Sequence, residues 1–473
     1  MTAETPIRPA MPAATPAPTA PAMNPRTRLL LQGPPLRTLL RLAWPNTLVM
    51  LAQASVGLIE TWWVGHLGTD ALAGMALVFP GFMMMQMLSG GAMGGGIASA
   101  IARALGANRR EDADALVLHA LVINGALGLL FSALVIGFGP ALYRALGGEG
   151  ASLEAALAYS DVVFAGAVLV WLYNAFASVL RGTGNMMLPS LAVVLGVVLL
   201  VPLSPVLIFG FGPVPALGVA GAGWAVVLTS LLTTALLGWA VVTGRSIARF
   251  RIARLRAALF LDILKVGAVA SLSTFQTTLT VMLTTAVVGA AGGPDAIAGY
   301  GTGNRLEYLL IPLVFGLGAP LVALVGTNIG AGQNRRALRI ALTGGALAFL
   351  LTEAIGLAAA IWPAAWLGLF GADPAMIETG SAYLRVVGPA YGFFGLGLSL
   401  YFASQGAGRL LWPLLAGALR LAIAVLGGWA ALVLTGSLAW VFAALALALV
   451  AYGTLIVSVL ASGAWFRHAG GSA

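Results

Sequence analysis

The 473-residue sequence has no cysteine, three histidines and few charges; its 24 Lys or Arg and 15 Asp or Glu make up 8% of the chain. A soluble domain carries about 25% charged residues, so these could not cover a water-facing surface of this size. That excludes soluble enzymes, and the missing cysteine excludes secreted disulfide scaffolds. No cluster of metal-ligand residues, no Walker A sequence and no nucleophile elbow occurs, so no enzyme, metal, cofactor or direct use of ATP is expected.

The chain is instead strongly apolar. Hydrophobic residues make up 60% of it, and the 62 Gly and 24 Pro sit within long apolar runs. Those runs exceed the ~20 residues with which a helix crosses a bilayer and are too long for the ~10-residue strands of a membrane barrel. The fold class is therefore an all-α polytopic membrane protein. The net charge of +9 reflects arginines in short loops, as a membrane protein requires, and no nucleic-acid partner is expected.

Twelve transmembrane helices are expected, near 39–65, 72–99, 117–138, 156–180, 187–210, 217–243, 262–290, 297–329, 340–361, 380–404, 412–435 and 438–463. Residues 1–28 are rich in Pro, Ala and Thr without an apolar signal segment, and read as a disordered cytoplasmic tail. Arginines gather in alternate connections: Arg37 and Arg41 before the first span, Arg103, Arg109 and Arg110 after the second, Arg335, Arg336 and Arg339 after the eighth. The positive-inside rule places these, and both termini, on the cytoplasmic side of a bacterial inner membrane. The basic stretch 244–258 divides an N-lobe (29–243) from a C-lobe (259–473), and its spacing suits an amphipathic helix on the inner leaflet.

The two lobes repeat one another. Asp70-Ala-Leu-Ala-Gly74 recurs as Asp295-Ala-Ile-Ala-Gly299, Gly106-Ala107 as Gly330-Ala331, and Arg181-Gly-Thr-Gly-Asn185 as Gln405-Gly-Ala-Gly-Arg409. Every offset is 224 or 225 residues. Six spans per repeat is an even number, so the repeats lie parallel, related by an axis along the membrane normal around a central cleft. That architecture belongs to transporters, although symmetry alone does not prove transport.

Ionisable residues within spans are costly unless paired or facing water, so each is a functional candidate. In span one Asn46, Gln53 and Glu60 recur every seven residues, a spacing that drifts only ~20° per step around a helix. This single polar stripe is expected to face the lobe interior, with Pro45 bending or starting the helix just before it. A carboxylate in a low-dielectric cavity can load and release a proton near neutral pH, which makes Glu60 the candidate coupling acid. The plain alternative is a carboxylate snorkelling to the outer interface beside Trp62 and Trp63. Asn174 and Ser178, one turn apart in span four, form a candidate network with Glu60 or merely a helix contact. Gln276 is the second lobe's central amide and a candidate substrate contact. Arg305 and Glu307 suggest a structural charge cluster near Asp295, and Glu353 has no evident partner.

Several short stretches resemble the multidrug and toxic compound extrusion (MATE) transporters. They include Leu42-Ala-Trp-Pro-Asn-Thr47, Gly57-Leu-Ile-Glu-Thr61, Val64-Gly-His-Leu-Gly-Thr-Asp-Ala-Leu-Ala73, Leu105-Gly-Ala-Asn-Arg109, Leu180-Arg-Gly-Thr-Gly184 and Val325-Gly-Thr-Asn-Ile-Gly-Ala-Gly332. The resemblance implies an antiporter that exports small organic, often cationic or amphipathic, compounds by rocking two lobes, driven by inward H+ or Na+. It puts the family's essential span-one carboxylate, usually Asp, at Glu60, and matches Asn174 to a polar position of the N-lobe network. The acid that some members carry one turn further along span four is Ser178 here. A second branch uses acids where this sequence has Gln276 and, near its span-ten position, Phe394, so its cation site is not expected. What remains resembles the DinF-type branch, associated with protons. The expected protein is thus a monomeric proton-coupled exporter with membrane lipids and small organic substrates as partners. Sodium coupling and a lipid-linked precursor flippase are the alternatives within transport, and a non-transporting receptor or scaffold the alternative outside it.

Overall fold

The computed structural model describes residues 23–463 and 465, with residues 48 and 50–58 described by backbone alone. The described chain is almost wholly helical. A short α1 (Pro25–Gln32) precedes α2 (Pro35–Gly65), and α3 (Thr69–Gln86) runs through a π turn at Met87–Met93 into α4 (Gly94–Gly106). Helix α5 (Arg110–Ala145) returns across the bundle. Helices α6 (Gly150–Ala165) and α7 (Ala167–Gly182) make one span bent by 46°. Helices α8 (Met187–Phe209) and α9 (Val219–Val242) complete the first half.

In the second half α10 (Ala257–Gly330) holds two spans that meet at Gly293, whose positive φ of 67° interrupts the helix. It is followed by α11 (Asn334–Ile361), the short α12 (Pro363–Leu367), and a span made of α13 (Pro374–Val387) and α14 (Tyr391–Ala407). The next span joins α15 (Leu411–Ala422) to α16 (Gly428–Thr435) through a π turn, and α17 (Leu438–Ala461) ends the bundle. Among the described residues nine helical stretches are long and apolar enough to cross a membrane, or ten with the bent pair. With α10 contributing two spans and the 31-residue α2 one more, the expected twelve are all present.

Apolar residues on both sides of a bilayer helix cannot drive assembly by leaving water, so close packing and internal hydrogen bonds must do so. One apolar core joins residues from Val64 to Ile263, and two others lie between Val287 and Leu449 and between Leu30 and Trp465. The halves then meet through small residues. A side chain on Gly106 would collide with the Thr327 carbonyl, and one on Gly330 with the Arg103 carbonyl. Gly106 and Gly330 are 224 apart, and so are Arg103 and Thr327. Helix α4 and the far arm of α10 therefore touch reciprocally, residue for residue, as surfaces related by a two-fold axis do. The same symmetry explains a backbone outlier: Asn108, the only described non-glycine with positive φ, stands where the second repeat has Gly332.

Three expectations need correction. The tail read as reaching Arg28 stops earlier, because Pro25 starts a helix and the Asn24 side chain accepts from the Arg26 N–H at its cap; residues 1–22 lie outside the described residues. The first helix is not confined to the first half, since Leu30, Leu39 and Ala43 pack into a core of second-half residues. The basic connection is no amphipathic helix: 249–256 has no regular secondary structure. Its partners lie spread along α5, with Arg251 on Asp114, Arg256 on Asp112, and the Arg249 and Arg256 N–H groups donating to Asp114 and His119.

Candidate functional site

Contacts between the halves run from the middle of the bundle to the ends that carry the arginine-rich connections. Asn46 Nδ2 donates to the Phe315 carbonyl at 3.1 Å, tying α2 to the far arm of α10. Further along, Ser99 Oγ donates to the Gln405 carbonyl at 2.5 Å, Arg103 pairs with Asp262 at 2.6 Å, and Asn328 Nδ2 donates to the Leu30 carbonyl at 3.0 Å. Arg336 donates to the Gly33 carbonyl. At the opposite ends each half packs against itself, with Trp63 beside Phe209 and Gly292 against Leu438. The seam is sealed on one side of the bundle.

Glu60 lies on α2 with 8% of its surface exposed, and it is the only Asp, Glu, Lys or Arg in the buried class among the described residues. Its Oε1 has no hydrogen-bond partner, and the ionisable group it acts on is the buried Tyr159 hydroxyl of α6. No ion pair among the described residues includes it. A side chain that is buried in this way is not snorkelling to an interface. The rest of the expected stripe diverges: Asn46 reaches across to the second half, ~21 Å along the helix from Glu60, and the Gln53 side chain lies outside the described residues. Pro45 sits inside α2, which continues through it.

Asn174 is buried, but its amide donates to Gln86 Oε1 at 3.2 Å and Ser89 Oγ at 2.9 Å rather than to Glu60. Gln86 and Ser89 flank and enter the π turn, where the local repeat departs from 3.6 residues, so helical spacing gave no sign of them. Ser178 is buried against Gly94 with its Oγ unpartnered. Gln276 lies against Gly417 of α15, away from this cluster. The second half has a charge pair of its own, and it differs from the expected cluster near Asp295. Glu307 meets Arg420 at 2.5 Å, each side chain 13% exposed, and the Arg420 guanidinium lies over the Phe394 and Tyr452 rings. Arg305 instead lies over Phe370, and Glu353 accepts from the Gly392 N–H at 2.7 Å. No group of three or more His, Cys, Asp or Glu able to hold a metal occurs among the described residues.

Where the halves meet, Gln405 and Arg181 line a small cavity together with Ser178, Phe315 and Phe402. Gln405 Nε2 donates to the Gly91 carbonyl at 3.2 Å. Arg181 Nε is shut off from solvent without an acceptor. The sequence marks Arg181 only as part of the internal repeat and of a family motif, since nothing local distinguishes an arginine at a span's end from one turned inward.

A twelve-span helical bundle of two parallel halves, with a sealed seam and a buried unpaired acid, defines a membrane transporter rather than an enzyme. The MatE family model matches the chain twice, at residues 45–206 and 270–430, so the chain belongs to the MATE family and its internal repeat is the family's own unit. It is 28% identical over 380 residues to a protein of Shewanella oneidensis named an FAD transporter, covering 79% of this chain and 82% of that one. It is 25% identical over 393 residues to a probable multidrug resistance protein, NorM, of Thermotoga maritima, covering 80% and 82%. A solved MATE structure in a bent conformation superposes with a TM-score of 0.86 over 94% of this chain and 99% of that one, at 24% identity.

Proposed function

We propose that the protein exports small organic compounds in exchange for protons by alternating access, with Glu60 as the coupling acid. The observation that carries this reading is the burial of Glu60 with no cation paired to it among the described residues. An acid in that position has a large incentive to bind a proton when shut away and to release it when water enters. A sodium site needs several oxygens converging on one ion, and here the Asn174 amide is engaged with Gln86 and Ser89 while Ser178 faces Gly94. Glu60 together with Gln276 and Phe394 also favours the DinF-type branch.

Placing the arginine-rich connections in the cytoplasm of a bacterial inner membrane, with both termini there, makes the sealed seam the inner gate and this conformation the outward-facing one. The relatives' names suggest cargo ranging from drugs to a flavin dinucleotide, and a susceptibility panel in an efflux-deficient host would identify a usable compound. Reconstituted protein should then move it against its gradient on a pH difference alone, in sodium-free buffer. A strict requirement for a sodium gradient would overturn proton coupling.

A further inference from the structure

The two halves carry opposite charge at equivalent places. Helix α5 begins with Glu111, Asp112 and Asp114, and the basic connection 249–256 lies on its Asp112, Asp114 and His119. At the positions 224 residues after Glu111, Asp112, Asp114 and His119, helix α11 has Arg335, Arg336, Leu338 and Thr343. There a shallow, open groove of about 590 Å³ takes the place of the covering segment. The described residues that line it all belong to one face of α11: Arg335, Leu338, Arg339, Leu342, Thr343 and Ala346.

The arginines of this face lack a counter-charge. Arg336 turns to the Gly33 carbonyl, but no ion pair among the described residues includes Arg335 or Arg339, and both are exposed. They stand four residues apart, where like charges on a helix repel. They also occupy the first two turns of α11, the positive end of its dipole, which favours an anion and disfavours a cation. One bound anion offsets both penalties. Beyond the arginines the face is apolar: Leu342 and Ala346 line the groove, and the exposed Leu350, Leu357 and Ile361 continue the same stripe at helical spacing. With 28 residues, α11 is ~42 Å long and outreaches the ~30 Å hydrocarbon core of a bilayer. Arg335 and Arg339 immediately precede the span expected from residue 340, which sets them at headgroup level and the stripe among acyl chains.

We propose that this face of α11 binds an anionic phospholipid from the leaflet on the sealed side, with the phosphate at Arg335 and Arg339 and an acyl chain along Leu342, Ala346 and Leu350. The lipid takes, in the second half, the place that the chain's own basic connection takes in the first, with the charges exchanged. The test titrates the detergent-purified full chain with phosphatidylglycerol, with phosphatidylcholine of the same acyl chains, and with free glycerol phosphate. Native mass spectrometry counts the bound molecules. No gradient is present, so the result stands whichever ion drives transport.

Phosphatidylglycerol should bind about tenfold tighter than phosphatidylcholine, as two arginines facing a net negative headgroup imply. Glycerol phosphate, which has no acyl chain to lay on the stripe, should bind far more weakly than phosphatidylglycerol. Arg335→Gln/Arg339→Gln should weaken the phosphatidylglycerol complex about 25-fold, or about fivefold for each arginine. Arg110→Gln/Arg254→Gln removes two other exposed arginines and should leave that complex within about twofold. Equal binding of the two lipids, an equal loss in the Arg110/Arg254 variant, or glycerol phosphate binding as tightly as phosphatidylglycerol would overturn the proposal. Arg339→Gln alone, with its fivefold loss, decides the matter if the double variant fails to fold.

Discussion

Glu307 meets a guanidinium at 2.5 Å, whereas Glu60 is the more deeply buried of the two acids and pairs with no cation among the described residues. The first arrangement ties α10 to α15 within the second half; the second is the one that the proposed proton coupling requires. Removing one partner of a buried pair strands the other, so Arg420→Met should destabilise the protein by about 3 kcal/mol. Glu307→Gln/Arg420→Met should recover most of that loss, since neither charge is then left alone. Tryptophan fluorescence melts of the purified variants would check both. If Arg420→Met melted like wild type, the pair would have no structural role. At this scale the burial of Glu60 was legible in the sequence, because a heptad stripe and a family motif pointed to the same residue. Arg420 was not, because its partner lies 113 residues away and only packing brings them together. The partners of Asn174 were hidden for a related reason, as the π turn shifts Gln86 and Ser89 off any regular helical face.

Among the elements, two make the seam. Helix α4 and the far arm of α10 approach so closely that Gly106 and Gly330 admit no side chain. Gly106→Val and Gly330→Val should each push the helices apart and favour the conformation open on this side, with similar effect because the positions are equivalent. Spin labels on Asn108→Cys and Asn334→Cys, in a chain that has no cysteine of its own, should move apart by several ångströms in either variant. An unchanged distance would mean that the seam yields elsewhere. The second element is the irregular basic connection, 249–256. Asp112→Asn/Asp114→Asn removes its ion pairs with Arg256 and Arg251, each such surface pair being worth ~0.2–1 kcal/mol. Trypsin should then cut between 249 and 256 faster, by about fivefold if both pairs contribute. The sequence showed where this basic segment lies but not its conformation, because its charge pattern fits a helix on lipid as well as an irregular segment laid on acids. What decides between them is the row of Asp112, Asp114 and His119 on α5.

For the whole molecule, the span count, the parallel repeat and the transporter class were all legible, because hydropathy and period are properties of the chain alone. The small cavity between the halves was not, since it exists only where two distant repeats meet. Orientation remains a consequence of charge placement and can be checked with an impermeant thiol reagent on intact cells. Cysteines at Asn108, Ile252 and Asn334, all exposed, should stay unlabelled, and ones at Ala151 and Ala372 should react. Labelling of Ile252→Cys from outside would invert the topology and with it the identity of the sealed gate.

The coupling role of Glu60 is tested most directly by counting protons. Purified protein in weakly buffered, sodium-free solution with a pH indicator should release about one proton per molecule when an exported compound is added, as a single carboxylate gives up its proton to binding. Glu60→Gln keeps the shape and the hydrogen-bonding capacity of the side chain but cannot titrate, and should release none. Glu353→Gln, a change at an acid held by the Gly392 N–H, should behave as wild type. Undiminished proton release from Glu60→Gln would contradict proton coupling through this residue.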